Sequence, residues 1–277
     1  MIRWGTSSWS EKSWVGPFYP PGTKPGDFLR YYATQFDTVE VDSTYYAIPG
    51  ERMVTGWERK LPEGFVLSAK FPRSVVHAGE GPRPDPERIL VRDAVWDETQ
   101  LFLERMALLG GKCGPLVLQF PFFNQGVFAH RGIFLERLEA FLDELPPDFR
   151  YGVEIRNKTW VDAHLLNVLR ERNVAFVMVD LAYMPHPERL ARHLDPVTAD
   201  FAYARLIGDR KLVDARTKTF DEIVVDQTKR LERWSSLLQD IRERVPETLV
   251  YANNHYAGHG PATIRQLRQM VEDDEDG

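Results

Sequence analysis

The chain has 277 residues and a mass of 32.0 kDa, with 43% hydrophobic and 27% charged residues, which leaves room for one large core in an ordinary globular composition. No apolar run approaches the ~18 residues of a membrane span, and a single cysteine, Cys113, excludes an internal disulfide or a thiolate metal cluster. The formal net charge is −6, but setting aside the five carboxylates of 272–276 leaves 35 basic against 36 acidic residues, so bulk charge neither requires nor forbids a polyanionic ligand.

Along the chain, the first β-like run is 2–4, which Met1 enters without a basic, apolar leader, so the expected compartment is the cytoplasm. A long aromatic stretch, 5–26, separates it from helical periodicity over 27–35. A second run, 38–41, leads to a helix over 52–60. The third, 66–69, leads through another long connection, 71–94, to a helix over 95–110. Runs at 116–118 and 151–153 are followed by helices over 132–145 and 161–172. After the sixth run, 175–179, Pro185, Pro187 and Pro196 limit any helix within 181–198 to a short piece. The seventh, 201–204, precedes the connection 207–223 and a helix over 224–244. The eighth, 249–252, precedes a helix over 261–270.

Eight strand–helix alternations predict an α/β fold, a single (β/α)₈ TIM-type barrel over 1–271 with a disordered acidic tail at 272–277. The long loops after strands 1, 3 and 7 then fall on the face that carries function in such barrels. Strand parity aims Glu40 with Asp42, Ser68 with Lys70, Glu154 with Arg156, and Tyr203 with Arg205 into the interior near its mouth, while Gln119 closes the fourth strand.

The residues Gly5-Thr6-Ser7-Ser8-Trp9-Ser10, Val39-Glu40-Val41-Asp42-Ser43-Thr44-Tyr45-Tyr46, Lys70-Phe71-Pro72-Arg73, Val153-Glu154-Ile155-Arg156, Tyr203-Ala204-Arg205-Leu206 and Tyr251-Ala252-Asn253-Asn254-His255 occur in this order. Together they resemble the YecE-like family, known as domain of unknown function 72. The resemblance implies a TIM-type barrel and leaves the reaction open. It also marks two departures: Asp42 stands where the family more often has Asn, and Phe120-Pro121-Phe122-Phe123-Asn124 differs from the usual Leu-Pro-Pro-Ser-Phe.

Glu154, Glu40, Asp42 and Lys70 form the candidate catalytic set, because carboxylates in different environments can divide acid and base roles. The competing reading is that the acids are buried ion-pair partners of Lys70, Arg156 and Arg205. Lys70 could form a Schiff base or act as a base, but a salt bridge or an anion contact is the commoner role for such a lysine. Candidate substrate-binding residues are Arg156, Arg205, Trp9, Tyr45, Gln119, Asn253, Asn254 and His255, with Gly258 and Gly260 as a phosphate-cradling turn or a plain connection before a helix at Pro261. Phe18 and Tyr19 read as packing. A metal would be sought at Glu154, Asp180 and His255, yet His77, His186, His193 and His259 lie on scattered loops, so neither metal nor cofactor is expected.

Three functions compete. The leading one is a hydrolase, lyase or isomerase without tightly bound cofactor, acting on a small polyhydroxylated or phosphorylated molecule. The others are a nucleic-acid-binding, endonuclease-like barrel using the basic stretches 83–92 and 205–218, and a non-catalytic metabolite-binding module. The sequence leaves the oligomeric state open.

Overall fold

Strands buried on both faces read as near-continuous apolar runs, and runs such as Ala175-Phe176-Val177-Met178-Val179 pair side by side as that pattern demands. The computed structural model describes residues 1–79 and 83–273. Among them, eight parallel strands are hydrogen-bonded in the order β1-β8-β7-β6-β5-β4-β3-β2. They are β1 (Ile2–Thr6), β2 (Thr38–Val41), β3 (Val66–Lys70), β4 (Cys113–Gln119), β5 (Tyr151–Glu154), β6 (Ala175–Leu181), β7 (Phe201–Gly208) and β8 (Glu247–Ala252). The helices are α1 (Phe28–Tyr32), α2 (Glu51–Lys60), α3 (Arg73–Val76), α4 (Arg92–Ala107), α5 (Arg131–Glu144), α6 (Ala163–Glu171), α7 (Pro187–Ala191), α8 (Arg210–Asp214), α9 (Thr228–Arg242) and α10 (Gly260–Asp273). This is the expected (β/α)₈ barrel, with the long connections after β1, β3 and β7.

The seam between β1 and β2 is closed mainly by side chains, with one backbone bridge from Ser7 to Glu40. Tyr32 Oη accepts from Thr6 N at 2.7 Å and donates to Thr38 O at 3.2 Å, while Asp37 Oδ1 accepts from Trp4 N at 2.8 Å. Gly5 is required here, because a Cβ at that position would lie 2.2 Å from Thr38 O.

Helix boundaries differ from expectation where local chemistry intervenes. Prolines do confine the sixth connection to the five-residue α7, as read from the sequence. The seventh connection folds a separate short α8, capped by Asp209 accepting from Lys211 N and Leu212 N, so α9 starts later than residue 224. Glu272 and Asp273, assigned to a disordered tail, are the end of α10; residues 274–277 of that tail lie outside the described residues, as do 80–82 of the third connection.

Inside the barrel the floor nearest the strand amino termini is an ion cluster, Glu247 accepting from Arg3 and Arg150. Above it pack Val66, Val117, Val177, Phe201 and Leu249, then Tyr203 and Tyr251. Tyr251 Oη reaches Thr38 Oγ1 at 2.7 Å and Ser68 Oγ at 2.8 Å, so the phenol in the apolar interior is satisfied. These layers fill the lower part of the barrel interior, and a cavity lined by Asp42, Lys70 and Arg205 opens at its upper end. Among the described residues no helix is long and apolar enough to cross a membrane.

Candidate functional site

Parity along β2, β3, β5 and β7 brings Glu40, Lys70, Glu154, Arg156 and Arg205 together at the carboxyl ends of the strands. Arg205 is the hub, 1% exposed. Its Nη2 donates to Glu40 Oε1 at 2.7 Å and its Nε to the same oxygen at 3.1 Å; its Nη1 donates to Gln119 Oε1 at 2.9 Å and to Glu154. Tyr203 Oη donates to the other Glu40 oxygen at 2.7 Å, and Arg156 Nε to Glu154 Oε1 at 2.7 Å. Glu40, Glu154, Arg156 and Arg205 are paired and hydrogen-bonded, and Lys70 is paired with Glu40 and Asp42, the condition under which buried ions are tolerated.

The two buried glutamates are thereby fixed as anions. Burial alone would raise the pKa of Glu154, but Arg205 and then Arg156 outweigh it and bring it to about 2. Glu40 is lowered in the same way, Arg205 and Lys70 overcoming its burial. Asp42 has the opposite balance: burial dominates, the Glu40 charge adds to it, and the carboxyl is raised despite Lys70 Nζ at 2.5 Å from Oδ1. Asp42 keeps 30% of its side chain exposed while Glu40 and Glu154 keep none, so it alone of the three reaches the space above.

That space is a cavity of about 700 Å³, within the size range of small-molecule sites. Its base is formed by Asp42, Lys70, Gln119, Arg156 and Arg205, and one wall by Asn253 and His255. The β7 connection contributes Asp209, Arg210 and Lys211, and the rim carries Tyr45, Tyr46 and Tyr183, the last two 74% and 54% exposed. Gln119 and Asn253 each commit a side-chain oxygen elsewhere, to Arg205 Nη1 and to His255 N, which leaves amide hydrogens as their free groups. His255 is held between Asn253 Oδ1 at 3.1 Å from Nδ1 and Asp214 Oδ1 at 3.2 Å from Nε2, which ties β8 to α8.

Several expected residues lie elsewhere. Glu40 and Glu154, expected to exchange protons with substrate, are beneath the cavity and do not line it. Trp9 turns away and packs edge-on against Trp57 at 5.8 Å. Asn254 Oδ1 is used inside the fold, accepting from Trp14 Nε1 at 3.2 Å and Gly260 N at 2.9 Å. Gly258 and Gly260 are buried, and Gly258 N donates to Asn254 O at 2.7 Å, so the turn offers the cavity no phosphate cradle. Gly258 is needed for a different reason: with φ at +115°, a Cβ there would also meet Glu222 O at 2.5 Å, so this glycine seats the β7 connection.

Asp180 faces the helix layer, where Arg230, Trp234 Nε1 at 3.0 Å and Tyr256 Oη at 2.9 Å donate to it. It therefore does not meet Glu154 and His255, and among the described residues no three His, Cys, Asp or Glu side chains are grouped to hold a metal ion. His259 packs edge-on against Trp14 at 6.0 Å, away from the rim. Cys113 is inert, burial pushing its thiol up to about 12. Phe18 and Tyr19 are core packing as expected.

A barrel whose interior charges open into one cavity at the carboxyl ends of its strands is the class that fold and geometry define. Within it, the chain belongs to the family described as protein of unknown function DUF72, whose model matches residues 3–277. It is 30% identical over 199 residues to the UPF0759 protein YecE of Escherichia coli strain K12, an alignment covering 69% of this chain and 64% of that protein. The UPF0759 protein YunF of Bacillus subtilis strain 168 is 26% identical over 121 residues, 44% of this chain and 40% of YunF. Among solved structures, the DUF72 protein TM1631 of Thermotoga maritima MSB8 has a TM-score of 0.67 at 26% identity, covering all of both chains. The Enterococcus faecalis V583 protein EF0366 has the same TM-score at 21% identity over 98% of this chain and 96% of its own, a likeness of fold.

Proposed function

We propose that the cavity is the active site of an enzyme that binds a small phosphorylated or polyhydroxylated molecule and moves a proton through Asp42. The observation that carries this reading is the division of labour among the carboxylates. Glu40 and Glu154 are locked as anions beneath the cavity, whereas Asp42 borders it with a raised pKa. A proton-transfer group works best when its pKa is drawn toward the working pH, and a low-dielectric wall does this for a carboxyl.

The remaining groups favour an oxygen-rich anion. Lys70 supplies a point charge, Arg156 commits Nε to Glu154 and keeps its outer guanidinium nitrogens for a ligand, and Gln119 and Asn253 present amide hydrogens. Schiff-base chemistry at Lys70 is disfavoured, since the ammonium is held between Asp42 at 2.5 Å and Glu40 at 3.8 Å. Exposed Tyr46 and Tyr183 suit the faces of a sugar-like ring at the entrance.

The test is incubation with a panel of sugar phosphates in deuterated water, followed by proton and phosphorus NMR. The reading predicts a new product or solvent deuterium in one substrate, abolished by Asp42→Asn with the fold intact. Saturable binding without product or exchange across the panel would instead make the barrel a metabolite-binding module.

A further inference from the structure

Tyr45 stands on the cavity wall in the short 3-10 turn Ser43–Tyr45 that follows β2. The turn is fixed, because Thr44 Oγ1 accepts from Lys70 N at 3.1 Å and lies 2.9 Å from Lys70 O. Tyr45 Oη is 2.7 Å from His77 Nε2. His77 follows α3 in the connection after β3, is 6% exposed, and is anchored through its carbonyl accepting from Asp85 N at 2.8 Å. Two connections, after β2 and β3, thus converge on one hydroxyl.

The other ring nitrogen of His77, Nδ1, is buried and has no hydrogen-bond partner among the described residues. In a neutral imidazole one nitrogen carries the proton and the other a lone pair. A proton on Nδ1 would leave a buried N–H with no acceptor, a state folded proteins rarely tolerate; a proton on Nε2 leaves only an unused lone pair. The neutral form holds at ordinary pH, since burial, with the nearby charges of Arg73 and Arg156, lowers His77 to about 4.

We infer that His77 carries its proton on Nε2 and donates it to Tyr45 Oη, which turns the Tyr45 hydroxyl hydrogen toward the cavity as a donor to a substrate oxygen. His77 is a positioning residue; Tyr45 is the group that meets the ligand. Burial raises the phenol to about 12, so it remains an O–H donor through neutral pH even though Arg156 and Arg73 oppose the shift. With Asp42 as acceptor and Tyr45 as donor, the two groups handle opposite sides of a proton transfer. This inference rests on the reading of the cavity as a substrate site, but its first test does not.

That test is the tautomer of His77, read from long-range nitrogen–proton correlations on protein labelled at the histidine ring nitrogens, with the signal assigned through the shift produced by Tyr45→Phe. A protonated Nε2 and an unprotonated Nδ1 are expected. A proton on Nδ1 would overturn the inference, because Tyr45 would then be donating to His77. The second test is calorimetric titration with inorganic phosphate, in which Tyr45→Phe should weaken binding about tenfold, the loss of one hydrogen bond to a charged group. Unchanged affinity in Tyr45→Phe would refute the donor role. Wild-type protein that binds no phosphate would overturn the anion reading of the cavity, and the nitrogen signals would then decide the Tyr45 inference by themselves.

Discussion

At the amino-terminal end of the barrel Glu247 sits between Arg3 and Arg150; at the carboxyl-terminal end Glu154 sits between Arg156 and Arg205. Both glutamates are held below their ordinary range, burial pushing each up and its arginines overcoming that push. The surroundings differ. Glu247 is 15% exposed and its partners reach solvent, and it closes an apolar stack. Glu154 is fully buried and carries above it Lys70, Asp42 and a cavity of about 700 Å³. A carboxylate between two arginines therefore occurs at both ends of the barrel, and the upper one carries above it the less well satisfied Asp42 beside a cavity.

The largest effect that would break this comparison is in stability. Glu154→Gln should cost about 3–5 kcal/mol in urea unfolding, because it leaves the buried Arg205 with one fewer counter-charge. Glu247→Gln should cost less, about 1.5–3 kcal/mol, since Arg3 and Arg150 can turn to water. Equal losses would show that depth does not separate the two ends.

The pH dependence sharpens the same contrast. Folded Glu154 titrates near 2 against an ordinary 4.5, and Glu40 is also lowered, so the unfolded chain takes up protons first. Their stabilisation is complete above about 4.5 and is lost as pH falls toward 2. Asp42 has the reverse sign: its raised pKa contributes stability below its ordinary 3.8, lost as pH rises through its folded value. Unfolding measured between pH 2 and 6 should show a shallower acid limb in Glu154→Gln than in wild type. An unchanged limb would mean that Glu154 is not held as an anion in the fold.

The smallest stability change belongs to the group assigned to chemistry. Asp42→Asn should alter unfolding free energy by less than about 1 kcal/mol, because burial already disfavours the Asp42 anion and the buried Lys70 keeps Glu40 at 3.8 Å. It should nevertheless remove turnover. A loss matching that of Glu154→Gln would place Asp42 with the structural pairs.

Much of this was legible from strand parity. Alternation along 38–42, 66–70, 151–156 and 201–205 aims Glu40, Lys70, Glu154, Arg156 and Arg205 inward, and they do converge. The same rule, applied to Val177 and Val179 as interior residues, puts Asp180 on the outer face, and applied to Leu249 it places Tyr251 in the barrel. Depth was not legible. Parity cannot say whether an inward carboxylate lies under the cavity, like Glu154, or borders it, like Asp42, because that depends on the arginine arriving from β7. Position just after a strand likewise failed to distinguish Tyr45, which lines the cavity, from Trp9, which packs on α2. The pairs Tyr45–His77 and Asp214–His255 join different connections, and the basic stretch at 205–218 was the one sequence signal for Arg210 and Lys211 at the wall.

If the cavity above Glu154 is an anion site, the outer nitrogens of Arg156 hold the ligand. Calorimetric titration of inorganic phosphate into wild type and Arg156→Gln tests it most directly. Saturable binding by wild type is expected, weakened at least tenfold by the substitution, as the loss of a charge-assisted hydrogen bond requires. Absence of binding by wild type, or equal affinity in the two proteins, would contradict it.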